Sequence, residues 1–342
     1  MYRNTINTIR YNKTYCILIA TMILASYSIS IVKEIDDIEP YPDYWENIIP
    51  MKMKCDYSIT NTYYKNIDGV IKPQDAVQRG FLKYWLNCFS YQYLGNDRII
   101  PIMASVSIVY LTYVLANLIT KDRIIGLISM GAMSINPMLT KFDSSPTYDQ
   151  VWVALFLLSI VLLYKKPIIG ILSFPLSIFA KILAAGYIPG LILHVYFEKE
   201  IKHRKKILFG LVGLCCFGLI GVMYIGVGDV IEFHPERVLD GLLRIFEAIW
   251  PIFPFVMGAI VLDRFFISNT RPEGKRIILV WMALILLMTP VIYLFTPNQL
   301  QFGYRFVPFA SFFSMYIGIV CVQLGNFLVE ARLRKESLKS IS

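Results

Sequence analysis

Ten apolar runs, bounded by basic residues, leave this chain few ways to fold. The first extends from Tyr15 to Val32, behind Arg3, Arg10 and Lys13, and the others cover approximately 99–120, 124–138, 149–164, 167–180, 183–197, 207–225, 248–266, 277–295 and 306–328. A hydrocarbon core of about 30 Å takes about 20 residues of helix. The runs lack the alternation of a membrane barrel, and a helix pairs its own backbone N–H and C=O groups where no water can. Runs shorter than a full span are accommodated by tilt or local thinning. The expected fold is all-α, a polytopic transmembrane helical bundle of about ten helices. Composition agrees, since 56% of the 342 residues are hydrophobic and 17% charged, with a mean hydropathy of +0.56, too apolar for a water-soluble globule of this length.

A net charge of +9 would suit nucleic acid, but the Lys and Arg residues stand at the ends of apolar runs and form no single patch. They read as topology signals. With the N-terminus cytoplasmic, clusters such as Lys165-Lys166, Arg204-Lys205-Lys206, Lys275-Arg276 and Arg334-Lys335 all fall on that side, while the short opposite loops hold only Lys141, Lys181, Arg237, Arg244 and Arg305. This predicts a cytoplasmic N-terminus at 1–14, a transmembrane region at 15–328 and a basic cytoplasmic tail at 329–342. The working face is then outside the cell membrane, with outer loops near 139–148, 226–247 and 296–305. Ser28-Ile29-Ser30 is a poor cleavage site, so the first helix is expected to be retained. The one long loop, 33–98, follows it. Cys16, Cys215, Cys216 and Cys321 fall within apolar runs. Cys55 and Cys88 share the outer side and either pair or remain free thiols.

The residues able to carry chemistry collect on that expected outer side. Lys33-Glu34-Ile35-Asp36-Asp37-Ile38-Glu39 begins the long loop where the first helix leaves the membrane. A partly desolvated carboxylate there can act as a general base or bind a divalent cation, or the run is simply a solvated loop start. In 72–98, Phe81, Tyr84, Trp85, Cys88, Phe89 and Gln92 recur at helical spacing, which predicts an interfacial amphipathic helix that anchors the loop. Asn136-Pro137 precedes a turn flanked by Asp143 and Asp149, and Asp149 either contacts a substrate or caps the following helix. Lys181 is isolated between apolar stretches, where it either snorkels to the headgroups or meets a phosphate. Tyr304-Arg305 opens the last run, with Pro308 inside it; arginine's planar fork suits a phosphate, and an interfacial aromatic belt has the same look.

Taken in order, these features resemble the C-type membrane glycosyltransferases. The resemblance lies in a first helix, a long outer loop opening on acidic residues, an interfacial helix, and a span introduced by LGNDRIIPIMASVSIVYLTYVLANLI with Gly95 and Arg98. Asp149 opens the span after Asn136-Pro137, Ala180-Lys181 follows, and Tyr304-Arg305-Phe306-Val307-Pro308 comes last. The likeness covers most of 15–325. Where the family commonly carries Asp-Glu, this chain has Asp36-Asp37, leaving open which of the two is the base. The usual His-Pro-Pro is reduced to Lys72-Pro73, and the large soluble C-terminal domain of some members has no counterpart. The resemblance implies a membrane-embedded transferase that moves a sugar from a polyprenyl-phosphate donor to a glycan, lipid or protein acceptor, with no nucleic-acid partner. It further implies Asp36 or Asp37 as the base, Lys181 and Arg305 on the donor phosphate, and Asp143 or Asp149 positioning a substrate, with Tyr304 at the mouth. A polysaccharide polymerase of the O-antigen type shares the outward face but places its catalytic loop later in the chain. A transporter or flippase would carry charges in mid-helix, and the runs are nearly free of Asp and Glu.

Overall fold

The computed structural model describes residues 12–37, 81–146, 150–224, 234–266, 272–295 and 306–339. Among these residues the fold is all-helical, and four helical stretches are long and apolar enough to cross a membrane: Lys13–Val32, Ile99–Thr120, Pro235–Arg264 and Val307–Leu333. Shorter apolar helices lie between them.

Helix α1 (Lys13–Val32) starts at Asn12, whose side chain accepts from the Thr14 N–H at 3.0 Å. This satisfies one of the four donors that a helix start leaves unpaired. Helix α2 (Phe81–Leu94) carries an exposed aromatic edge in which Trp85 stacks on Phe89 and Phe89 meets Tyr93 at 4.9 Å. Helix α3 (Ile99–Thr120) ends on Lys121 at φ 60, and Asp122 caps α4 (Arg123–Ser134) with a 3.0 Å bond to the Ile124 N–H. Asn136 caps the short α5 (Pro137–Thr140), where Pro137 occupies a first-turn position that needs no N–H.

The chain continues through α6 (Gln150–Lys165), α7 (Pro167–Ala180), a 3-10 turn at Ile182–Tyr187, α8 (Ile188–Phe197) and α9 (Arg204–Tyr224). Next come α10 (Val238–Ile249), a 3-10 turn at Trp250–Ile252, α11 (Phe253–Phe266), α12 (Pro272–Phe295) and α13 (Val307–Lys339). Two details differ from the sequence reading. Residues 238–247, expected as outer loop, belong to α10, whose Leu239, Leu243 and Phe246 stay exposed while Gly241 and Ile249 are buried on the side packed against α12. Pro308 is the second residue of α13 and not an interior one, so its missing N–H breaks no helical bond.

Helices α3, α4, α6 and α13 form the centre. Helix α1 packs on α3 and α4, α7 on α6, and α12 on α13. The aromatic core sits where α6, α12 and α13 meet: Trp281 stacks on Phe312 at 5.1 Å and takes Phe156 edge-on at 5.3 Å. Its indole N–H donates to buried His194 Nδ1 at 3.0 Å, tying α8 to α12. In lipid, helices gain little from apolar burial against one another, so close approach decides their packing. Helix α13 accordingly presents buried Ser311, Ser314 and Gly318 to α4, where a Cβ on Gly318 would lie 2.5 Å from Ser129 Oγ.

Candidate functional site

At the C-terminal end of α1 the chain makes one further turn, with Glu34, Ile35 and Asp37 donating their N–H groups to Ile31, Val32 and Glu34 carbonyls. This turn carries the Glu34 side chain on from α1, seven residues beyond Tyr27 and on the same helical face. The second segment is the 141–146 turn between α5 and α6. Ser105 of α3 donates to the Asp143 carbonyl at 2.8 Å, and the Gln150 side chain donates to the Phe142 carbonyl, so the turn is pinned from two helices. The third is the α2–α3 corner, which Gly95 turns with a φ of 78 that other residues rarely adopt. There Asn96 accepts from the Arg98 N–H and donates to the Ile35 carbonyl.

These segments bring one connected polar group together. The Tyr27 hydroxyl donates to Asp143 Oδ2 at 2.9 Å. Ser144 Oγ donates to Glu34 Oε2 at 2.9 Å and accepts from Arg98 Nη1 at 3.2 Å, while Arg98 Nη2 binds the Asp37 carbonyl. Asp143 is 4% exposed, and its Oδ1 has no hydrogen-bond partner among the described residues. Burial pushes its carboxyl from the ordinary 3.8 to about 7; the Tyr27 hydrogen bond opposes that rise and the Glu34 charge adds to it. Such a group exchanges its proton near neutrality, which is what a general base needs.

Glu34 and Asp143 stand at one end of a groove of about 610 Å³ between α1 and α4, within the range of ligand sites. Ile19, Met22, Ile23 and Ile135 line its apolar part, and Ser26, Ser30, Ser134 and Thr140 supply hydroxyls.

The residues singled out by sequence are distributed as follows. Asp143 lines the groove. Asp36 and Asp37 are exposed on the turn beyond Glu34, and Asp37 enters the network through its carbonyl. Lys181 is half-buried where α7 ends; because α7 runs back along α6, it stands at the same end of the bundle as Asp143 without lining the groove. Asp149, Tyr304 and Arg305 lie outside the described residues, as do Cys55 and the Cys88 side chain. The start of α13 packs beside α5 at this same end. Among the described residues no three of His, Cys, Asp and Glu gather into a metal-binding group. Tyr27 and Ser144 are not among the site residues read from sequence, and Glu34 is read there only as part of the acidic run 33–39; the Tyr27–Glu34 spacing is the signal that places those two on one face.

Comparison with protein-family models, with curated proteins and with solved structures finds no match to this chain.

Proposed function

We propose that the chain is a membrane-embedded glycosyltransferase that moves a sugar from a polyprenyl-phosphate donor to an acceptor hydroxyl on the non-cytoplasmic side. The observation that carries this reading is the convergence of Glu34 and Asp143, from segments 109 residues apart in sequence, at the end of a groove that runs between two helices. Asp143 is the base in this reading. It takes the acceptor's proton as the acceptor oxygen bonds to the anomeric carbon; the bond from that carbon to the phosphate oxygen breaks, and the electron pair leaves with the polyprenyl phosphate. Glu34, held by Ser144, orients the acceptor. Asp36 and Asp37 stand at the rim, and Lys181 and Arg305 neutralise the departing phosphate.

The test uses the full chain in nanodiscs with a dolichyl-phosphate hexose tritiated in the sugar, scoring label transferred to extracted cell-envelope lipids and glycans. Asp143→Asn is expected to lower transfer at least about 100-fold, the usual scale for a lost general base. Full transfer by a Glu34→Gln, Asp143→Asn double variant would overturn the reading.

A further inference from the structure

We propose that the groove between α1 and α4 seats the hydrocarbon chain of an uncharged lipid with a hydroxyl-bearing headgroup, and that this lipid is the sugar acceptor. The second half rests on the transferase reading above; the lipid site itself does not.

The groove is shaped for a chain with a polar head. On α1 its lining recurs every three or four residues from Ile19 to Glu34. That is one helical face, and at 1.5 Å per residue it extends about 22 Å. Ile19, Met22 and Ile23 line its apolar start, and Ser30, Glu34, Thr140 and Asp143 its far end. Met22 is 63% exposed and Ile135 78%, so the walls open sideways, toward the hydrocarbon that surrounds a membrane bundle.

The headgroup follows from charge. Among the described residues lining the groove there is no Lys, Arg or His, and there are two carboxylates. Arg98, the cation of this network, is turned to Ser144 and to the Asp37 carbonyl. A phosphate inside the groove would face like charge with no cation among the described lining residues to hold it. Hydroxyls, by contrast, donate to carboxylates. Asp143 offers the acceptor: Oδ2 takes the Tyr27 bond, while Oδ1 is buried without a donor among the described residues. A buried acceptor left so is costly, and a ligand hydroxyl there relieves it. The phosphate of a sugar donor then has to be held elsewhere at this end, beside Lys181.

The experiment photolabels the purified full chain with two diazirine probes of equal chain length, a monoacylglycerol and a lysophosphatidic acid, and maps adducts by mass spectrometry. The monoacylglycerol is expected on α1 and α4 peptides around Met22 and Ile135, with at least tenfold less lysophosphatidic acid there. Excess unlabelled monoacylglycerol should remove the adducts from the wild-type chain, and Ser30→Trp or Ser134→Trp, from opposite walls, should each block them. Equal labelling by lysophosphatidic acid, or labelling that competition leaves unchanged, overturns the lipid site. Sugar transfer confined to water-soluble acceptors, with α1 and α4 labelled as expected, overturns the acceptor role and leaves the transferase reading intact. Groove labelling with no sugar transfer to any acceptor overturns that reading and leaves the lipid site standing.

Discussion

Tyr27 of α1 and Asp143 of the α5–α6 turn, 116 residues apart, share a 2.9 Å hydrogen bond in a buried setting. The bond favours the ionised carboxyl against the burial that raises it to about 7. Tyr27→Phe is therefore expected to move Asp143 further up, shifting the alkaline-rising limb of any Asp143-dependent activity to higher pH. Carbonyl-stretch infrared spectroscopy, with Asp143→Asn as the blank, reads the same shift without an assay. An unmoved titration would mean the hydroxyl does not govern this carboxyl.

The raised value has a consequence for stability. A carboxyl with a folded value above its unfolded one stabilises the folded state fully below about pH 3.8, loses that contribution as pH rises, and has lost it above about 7. The melting temperature in detergent should fall between pH 4.5 and 7.5, and Asp143→Asn should flatten that part of the profile, a difference on the order of a few kcal/mol. An unchanged slope in the variant would assign the pH dependence to other groups.

Ser144 joins Arg98 to Glu34. Replacing it with Ala removes an acceptor from a guanidinium in a residue only 6% exposed and a donor from Glu34. The expected loss is about 1–3 kcal/mol in chemical denaturation, and Ser144→Thr, which keeps the hydroxyl, should restore most of it. Equal losses in Ala and Thr would point to packing instead.

Much of this architecture was legible beforehand, and the reasons differ by element. Runs such as 99–120 announced their helix because apolar length is what a bilayer selects, and the structure starts and ends α3 on those residues. The 226–247 loop reading fails over α10 because Asp240, Arg244 and Glu247 break the apolar run; on a helix they share one charged edge, with buried Ile249 opposite. At the site, Asp143 is a candidate in the sequence and lines the groove, whereas the sequence emphasis on Asp36 and Asp37 passes over Glu34. Adjacent acids look alike in sequence. Only the continuation of the α1 turn decides which of them faces the groove, and that depends on the Asn96 and Arg98 bonds to the Ile35 and Asp37 carbonyls, a contact between segments 61 residues apart.

Gly318 sets the distance between α13 and α4. A Cβ there would lie 2.5 Å from Ser129 Oγ and 2.7 Å from the Ile125 carbonyl, so Gly318→Ala should cost about 1–3 kcal/mol through overpacking. Adding Ser129→Ala relieves only the first clash, because the backbone carbonyl cannot withdraw. The double variant should therefore recover part of the loss in thermal unfolding; complete recovery would show the backbone contact to be tolerated.

Asp263 near the end of α11 is held from two other helices: Lys275 of α12 reaches Oδ1 at 2.5 Å and the Tyr316 hydroxyl of α13 reaches Oδ2 at 2.8 Å. With side-chain exposures of 22% for Lys275 and 14% for Asp263, solvent screens the pair only in part. Removing the cation leaves a mostly buried carboxylate with one neutral donor, so Lys275→Met should cost about 1–3 kcal/mol. The second substitution separates charge from packing. If the loss comes from the stranded carboxylate, Asp263→Leu in the Lys275→Met background returns stability toward wild type, because an apolar pair of similar volume carries no desolvation cost in this setting. If the loss is instead the tie among three helices, the double variant is worse than either single one and Tyr316→Phe adds nothing further to it. A double-mutant cycle on unfolding in detergent distinguishes the two, since the double variant recovers most of the Lys275→Met loss in the first case and none of it in the second.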